Sequence, residues 1–226
     1  MDIPRSTPLP ARENRLRITE IYLSVQGEST HVGKPCVFVR LTGCNLRCTW
    51  CDSVFTFKGG TWRTVDEVVD EVHALGVHTV EVTGGEPLLQ PGAITLMEQL
   101  LAQGHEVLLE TGGSLSVARV PPGVHVILDF KAPGSGEVEH NLWDNVALLR
   151  PHHEVKLVLA SREDYEWARE IVATHGLAAR CTVLLSPAWG QLDPKKLVTW
   201  MLEDRLDARL QLQLHKVVWD PAERGV

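Results

Sequence analysis

The chain has 226 residues, 44% of them hydrophobic, and 22 Lys+Arg against 29 Asp+Glu give a formal net charge of −7. That apolar content excludes a disordered body, and the acidic balance excludes a general binder of nucleic-acid backbones. No apolar run reaches the roughly 18 residues that a membrane-spanning helix needs.

The length favours one domain with a large core. Met1–Arg17 carries Pro4, Pro8 and Pro10 without any period, and reads as an extended arm. It never becomes apolar, so it does not read as a secretory signal, and a cytoplasmic location is expected. Residues 18–226 read as a single core domain. Strands are predicted at Ile18–Val25, Cys36–Leu41, Thr79–Thr83, Glu106–Glu110, Val124–Asp129, Glu154–Leu159, Cys181–Leu185 and Leu210–Leu214. Several are nearly continuous Val/Ile/Leu runs, as in parallel strands covered on both faces. Helices are predicted between them. One runs from Thr64 to Leu75, opening on a Thr64–Glu67 capping box. Others cover Ile94–Ala102, Asn141–Leu149, Ser161–His175 before Gly176, and Asp193–Leu206 with Pro194 at the first position. This alternation implies an α/β fold with a mainly parallel sheet.

Three of the five cysteines, Cys44, Cys48 and Cys51, fall within eight residues in a C-x3-C-x2-C loop after a predicted strand. In a cytosolic chain such a group points to metal ligands or catalytic groups rather than disulfides. Structural zinc takes four ligands in a closed tetrahedron, which Cys36 or His31 would complete. A four-iron cluster also takes four thiolates as a rule, and on three it keeps one iron open. The spacing alone leaves both possibilities standing. Cys36 and Cys181 carry no motif and read as small buried hydrophobes.

Thr83-Gly84-Gly85-Glu86-Pro87 ends the next strand. Glycines there let the backbone approach a ligand closely, and Glu86 either accepts from an ammonium or supports the loop. After the cysteine motif, this segment resembles the radical S-adenosylmethionine (SAM) superfamily, over about Ile18 to Trp219. The resemblance implies a full or partial (βα) barrel, here a partial one. It also implies a [4Fe-4S] cluster on Cys44, Cys48 and Cys51, SAM chelating the open iron, and the G-G-E-P loop at its amino group. The site is expected at the C-terminal ends of strands.

Further segments resemble the 7-carboxy-7-deazaguanine synthase family: Gln26-Gly27-Glu28, Arg40 before the cysteine loop, Cys51-Asp52-Ser53, and Leu214-His215-Lys216. That resemblance implies rearrangement of 6-carboxy-5,6,7,8-tetrahydropterin to 7-carboxy-7-deazaguanine with loss of ammonia, in 7-deazapurine (queuosine) biosynthesis. It implies a pterin-binding set of Val25, Gln26, Gly27, Glu28, Arg40 and Thr83. Gln26 offers both a donor and an acceptor, and Glu28 accepts only. Arg40 interrupts an apolar strand and should face an anion, with the substrate carboxylate as natural partner and a structural ion pair as the alternative. Ser53 is expected on Mg2+, with a helix N-cap as the alternative. The cofactor set implied is Trp50, Cys51, Asp52, Gly85, Glu86, Asp129, Phe130, Lys131, Ser186, Pro187, Ala188 and Trp189. Glu110, in Glu110-Thr111-Gly112-Gly113, is the expected catalytic residue, with relay of a proton and a hold on the ribose as its two alternative roles. A one-electron donor such as flavodoxin, a homodimer, and a tail that closes over the site complete the expectation. Another radical SAM enzyme, such as a glycyl-radical activase, and a zinc-stabilised binding module are the competing readings.

Overall fold

The computed structural model describes residues 12–226, so most of the expected N-terminal arm lies outside the described residues. The remainder of that arm is not extended coil. Strand β1 spans Arg15–Val25, because the period-2 pattern already begins at buried Leu16 and Ile18. It pairs antiparallel on one side with β2 (Pro35–Leu41) and on the other with β3 (Thr61–Thr64), a strand the sequence reading missed.

From β2 onward the sheet is parallel. Its further strands are β4 (Thr79–Gly84), β5 (Glu106–Thr111), β6 (His125–Lys131), β7 (Glu154–Leu159), β8 (Thr182–Pro187) and β9 (Arg209–Leu210). Among the described residues the order is β3-β1-β2-β4-β5-β6-β7-β8-β9, an open sheet of nine strands. Helices α1 (Val65–Ala74), α2 (Gly92–Ala102), α3 (Arg162–Thr174) and α4 (Pro194–Glu203) lie between the parallel strands in sequence, and α5 (His215–Val218) is one short turn near the end. The helix starts follow local chemistry. The Thr64–Glu67 capping box forms in both directions, Ser161 accepts from Asp164 N, and Asp193 accepts from Lys195 N ahead of Pro194.

Two predicted elements differ. Asn141–Leu149 forms only a 3-10 stretch over Trp143–Leu148. The buried Asn145 amide accepts from Val117 N and donates to Leu115 O, drawing the segment onto a neighbouring loop. The last strand is two residues long, because Leu214 leaves it to donate to Gly27 O at 2.8 Å. No described helix is long and apolar enough to cross a membrane.

Each parallel strand sends alternate residues to opposite faces. Val37, Val39, Leu41, Val80, Val82, Val107, Leu109, Leu128, Val155 and Leu157 join the core shared with the helices. The other register carries charge.

Candidate active site

The opposite register lines a cavity of about 550 Å3 at the C-terminal ends of the parallel strands. Arg40, Glu81, Thr83, Glu110, Asp129, Lys131 and Lys156 enter it from β2, β4, β5, β6 and β7. That volume suits a small-molecule site.

Cys44, Cys48 and Cys51 line one side of this cavity, all three unbonded and partly exposed. Their loop is pinned by Thr49 N to Ser135 O at 3.0 Å and by Arg47 N to Glu137 Oε1 at 2.6 Å. A single zinc at about 2.3 Å from each sulfur requires sulfurs about 3.8 Å apart. Among the described residues, the three sulfurs do not form a set within 4.8 Å of one another. Neither proposed fourth zinc ligand is near. Cys36 is fully buried at the start of β2, and His31 sits in the turn before it, at the other end of the sheet. Burial raises the Cys44 thiol, and pushes Cys48 up to about 11, so loading this site with metal releases protons.

The glycine pair beside the cysteines is required by close approach. A Cβ on Gly84 would lie 2.2 Å from Leu41 O, and one on Gly85 would lie 2.2 Å from Gly43 O. Both glycines line the cavity. Glu86 does not. It is fully buried behind the wall, where it accepts from Leu88 N at 3.0 Å, Gly112 N at 2.8 Å and Thr111 Oγ1 at 2.8 Å. Of the two roles expected for Glu86, the structure gives loop support, tying G-G-E-P to the Glu110-Thr111-Gly112-Gly113 segment.

Lys156 organises the opposite side. Its Nζ bonds Glu110, meets Glu28 Oε2 at 2.8 Å and lies 3.6 Å from Asp129 Oδ2. Burial works against its charge, but Glu110, Glu28 and Asp129 outweigh that and raise its pKa well above the ordinary lysine value. Burial would likewise raise Glu28, and the Lys156 ammonium with Gln213 brings it below the usual range. Lys131 Nζ reaches Asp129 Oδ2 at 2.9 Å, while Asp129 Oδ1 is buried without a partner. Gln26 is committed on both sides. Its Nε2 donates to Glu81 and its Oε1 accepts from Glu28 N. Glu81 is pushed up to about 8 by burial and by the Glu110 charge.

The chain end closes onto this side. Gln213 Nε2 donates to Glu28 Oε1 at 2.9 Å, and Lys216 Nζ to Asp52 Oδ2 at 2.6 Å. Asp52 is exposed at the cavity rim, and that ammonium holds its carboxyl well below the usual range. A Cβ on Gly27 would collide with the His215 ring at 2.2 Å. Asp220, Pro221 and residues 223–226 also line the cavity.

Other expected residues divide. Val25, Gln26, Gly27, Glu28, Thr83, Trp50, Asp52, Ala188 and Trp189 line the cavity. Phe130 does not; it is fully buried in the helix-side core against Trp143. Ser186 and Pro187 are buried in β8 away from the lining. Arg40 lines the cavity, yet its guanidinium already has partners. Nε donates to Glu20 Oε1 at 2.8 Å and an Nη to Tyr22 Oη at 2.6 Å. The structure thus supplies the ion pair that was the alternative for Arg40. For Ser53 it gives the capping position of the alternative without the capping bond. Ser53 precedes a 3-10 turn over Val54–Phe57 but makes no side-chain capping bond, and its hydroxyl lies 3.2 Å from Asp52 Oδ1 beside the cavity. Glu81, Lys156, Tyr22, Glu20 and Gln213 were missed. For Glu81 and Lys156 the signal was present, a charge inside an apolar strand, the same signal that singled out Arg40.

The radical SAM superfamily model matches residues 38–129. The chain is 50% identical over 217 residues to the 7-carboxy-7-deazaguanine synthase of Chlorobaculum tepidum, covering 95% of this chain and 99% of that one. It is 48% identical over 226 residues to the 7-carboxy-7-deazaguanine synthase of Koribacter versatilis, covering 93% and 100% of the two chains. Among solved structures, the crystal structure of QueE from Escherichia coli shares the fold with a TM-score of 0.73 at 22% identity, over 89% of this chain and 95% of that one. Identity near one residue in two, along almost the whole length of both chains, accompanies the cysteine loop, the glycine pair and the polar cavity; the chain belongs to the 7-carboxy-7-deazaguanine synthase family of radical SAM enzymes.

Proposed function

We propose that this enzyme converts 6-carboxy-5,6,7,8-tetrahydropterin to 7-carboxy-7-deazaguanine with loss of ammonia. The observation that carries the reading is one cavity walled on one side by three unbonded cysteines and on the other by the Lys156–Glu28–Glu110–Asp129 network. Cys44, Cys48 and Cys51 would hold a [4Fe-4S] cluster, and SAM would bind between the cysteine loop and Gly84-Gly85. When bound, this pair supplies a hydrogen-abstracting radical at the expense of one electron from a donor such as flavodoxin.

The chain's own groups place the pterin. Carboxylates of Glu28, Glu110 and Asp129 offer acceptors to ring N–H and amino donors, and Gly27 leaves room for the His215 ring to close over this side. Lys156 holds these carboxylates in order around one ammonium. Glu110 is within reach of both Lys156 and Thr83 Oγ1, the latter at 3.4 Å, and is the group proposed to move a proton at the substrate. Ser53 with Asp52 would hold Mg2+ against the substrate carboxylate. The tail from Gln213 onward excludes water. Its contacts with Glu28, Asp52 and Gly27 support that role. A single core domain, a homodimer and a cytoplasmic location belong to the same reading.

The test is anaerobic incubation of the brown, cluster-loaded protein with carboxypterin, SAM and a reductant. Equimolar formation of the deazapurine and ammonia is expected. Cleavage of SAM with the pterin left intact would favour another radical activity, and a colourless protein holding zinc would favour the binding module.

A further inference from the structure

The N-terminal end of the sheet carries a second group of ligating side chains, far along the strands from the cysteine loop. His125 and Glu154 are the first residues of β6 and β7, and His31 comes from the turn between β1 and β2. One ligand atom from each of the three lies within 4.8 Å of the others. None of them lines the active-site cavity.

We propose that His31, His125 and Glu154 bind a divalent transition ion of the zinc class. Two imidazoles and a carboxylate are a donor set such ions accept, with one position left for water. The supporting groups are in place around it. Glu154 is 1% exposed; its Oε1 accepts from Thr30 N at 2.9 Å and His125 Nε2 at 2.9 Å, while Oε2 has no partner although buried. His31 shows the same asymmetry. Glu106 Oε1 takes its Nε2 at 3.3 Å, and its Nδ1 is buried with no partner. A carboxylate on one imidazole nitrogen, with the other nitrogen free, is how metal-bound histidines are oriented. Glu106 is itself fixed by Thr79 Oγ1 at 2.6 Å. Each of these two residues thus keeps one buried atom without a partner, inside a set whose ligand atoms lie within 4.8 Å of one another. Binding would exchange the His125–Glu154 hydrogen bond for metal ligation. It would tie the turn that bears Gln26 and Glu28 to the base of β6 and β7, and would not touch the radical chemistry.

The test uses cluster-loaded protein equilibrated with micromolar Zn2+, with zinc and iron counted per chain. Wild type should retain about one zinc, with X-ray absorption showing N/O ligands at about 2.0–2.1 Å. His31→Ala and His125→Ala should weaken zinc binding about 10-fold or more at unchanged iron content, and Glu106→Gln should weaken it about 10-fold through His31. His31 sits in a turn, so its variant keeps the test if His125→Ala does not fold. No retained zinc, a sulfur-ligated zinc, or equal affinity in wild type and His31→Ala would overturn the proposal.

Discussion

Lys156 Nζ stands 2.8 Å from Glu28 Oε2, and this contact joins the turn after β1 to the middle of β7. Without the lysine, Glu28, Glu110 and Asp129 would face one another with no ion-paired cation among the described residues except Lys131 on Asp129. Breaking a buried ion network by removing one partner costs about 3–5 kcal/mol. Lys156→Met should therefore lower the melting temperature of the cluster-loaded protein by on the order of 10 °C. It should also abolish turnover while leaving iron content intact. An unchanged melting temperature would mean that the three carboxylates do not depend on Lys156.

Glu81 gives a pH signature. Its carboxyl has an ordinary value of 4.5 when exposed and is pushed up to about 8 by burial and by Glu110. The folded state then holds the proton more tightly than the unfolded chain. This group favours folding fully below pH 4.5 and loses that contribution as pH rises toward 8. The limit is about 1.4 kcal/mol per pH unit. Glu81→Gln keeps an acceptor for Gln26 Nε2 and removes the titration. Denaturant unfolding between these pH values should show a flatter stability profile in the variant, and its advantage over wild type should grow with pH. Parallel profiles would contradict the raised carboxyl.

Ser53 separates a metal role from a structural one. Because its hydroxyl makes no capping bond, Ser53→Ala should change stability by less than about 0.5 kcal/mol. The same variant should lose the response of turnover to magnesium, and Ser53→Thr should retain it. An alanine variant with the wild-type magnesium titration would return Ser53 to the surface of the loop.

Arg40 holds Glu20 and Tyr22 at once through different nitrogens. A lysine ammonium keeps the charge but not the fork. Arg40→Lys should cost about 1.5–3 kcal/mol of stability, the worth of a hydrogen bond to a charged group, measured by chemical denaturation. It should also raise KM for carboxypterin, because the guanidinium forms part of the cavity wall. A raised KM at unchanged stability would show that substrate, and not Glu20, is its principal partner.

Much of the frame was legible because local chemistry decides it. The caps at Thr64, Ser161 and Asp193 name their helices, and Glu154–Leu159 is bounded by its own apolar run. The early start of β1 and its pairing with β3 were obscured by charged residues flanking Leu16, whose burial depends on a partner strand distant in sequence. The cysteines and glycines announce themselves by spacing. Lys156 and Glu81 do not, because a charge in an apolar strand acquires meaning only when neighbouring strands bring Glu28, Glu110 and Gln26 beside it. Glu86 shows the reverse. Its motif pointed toward a ligand, and long-range bonds to Thr111 and Gly112 turned it into a loop support.

Carboxypterin carrying deuterium at C6 tests the central claim most directly. With cluster-loaded enzyme, SAM and a reductant under anaerobic conditions, deuterium should leave C6 and appear in the adenosyl group of the cofactor pool while 7-carboxy-7-deazaguanine accumulates. Product with no label in the cofactor pool, or label retained at C6 while SAM is consumed, would contradict a radical rearrangement of this substrate in the cavity between the cysteine loop and Lys156.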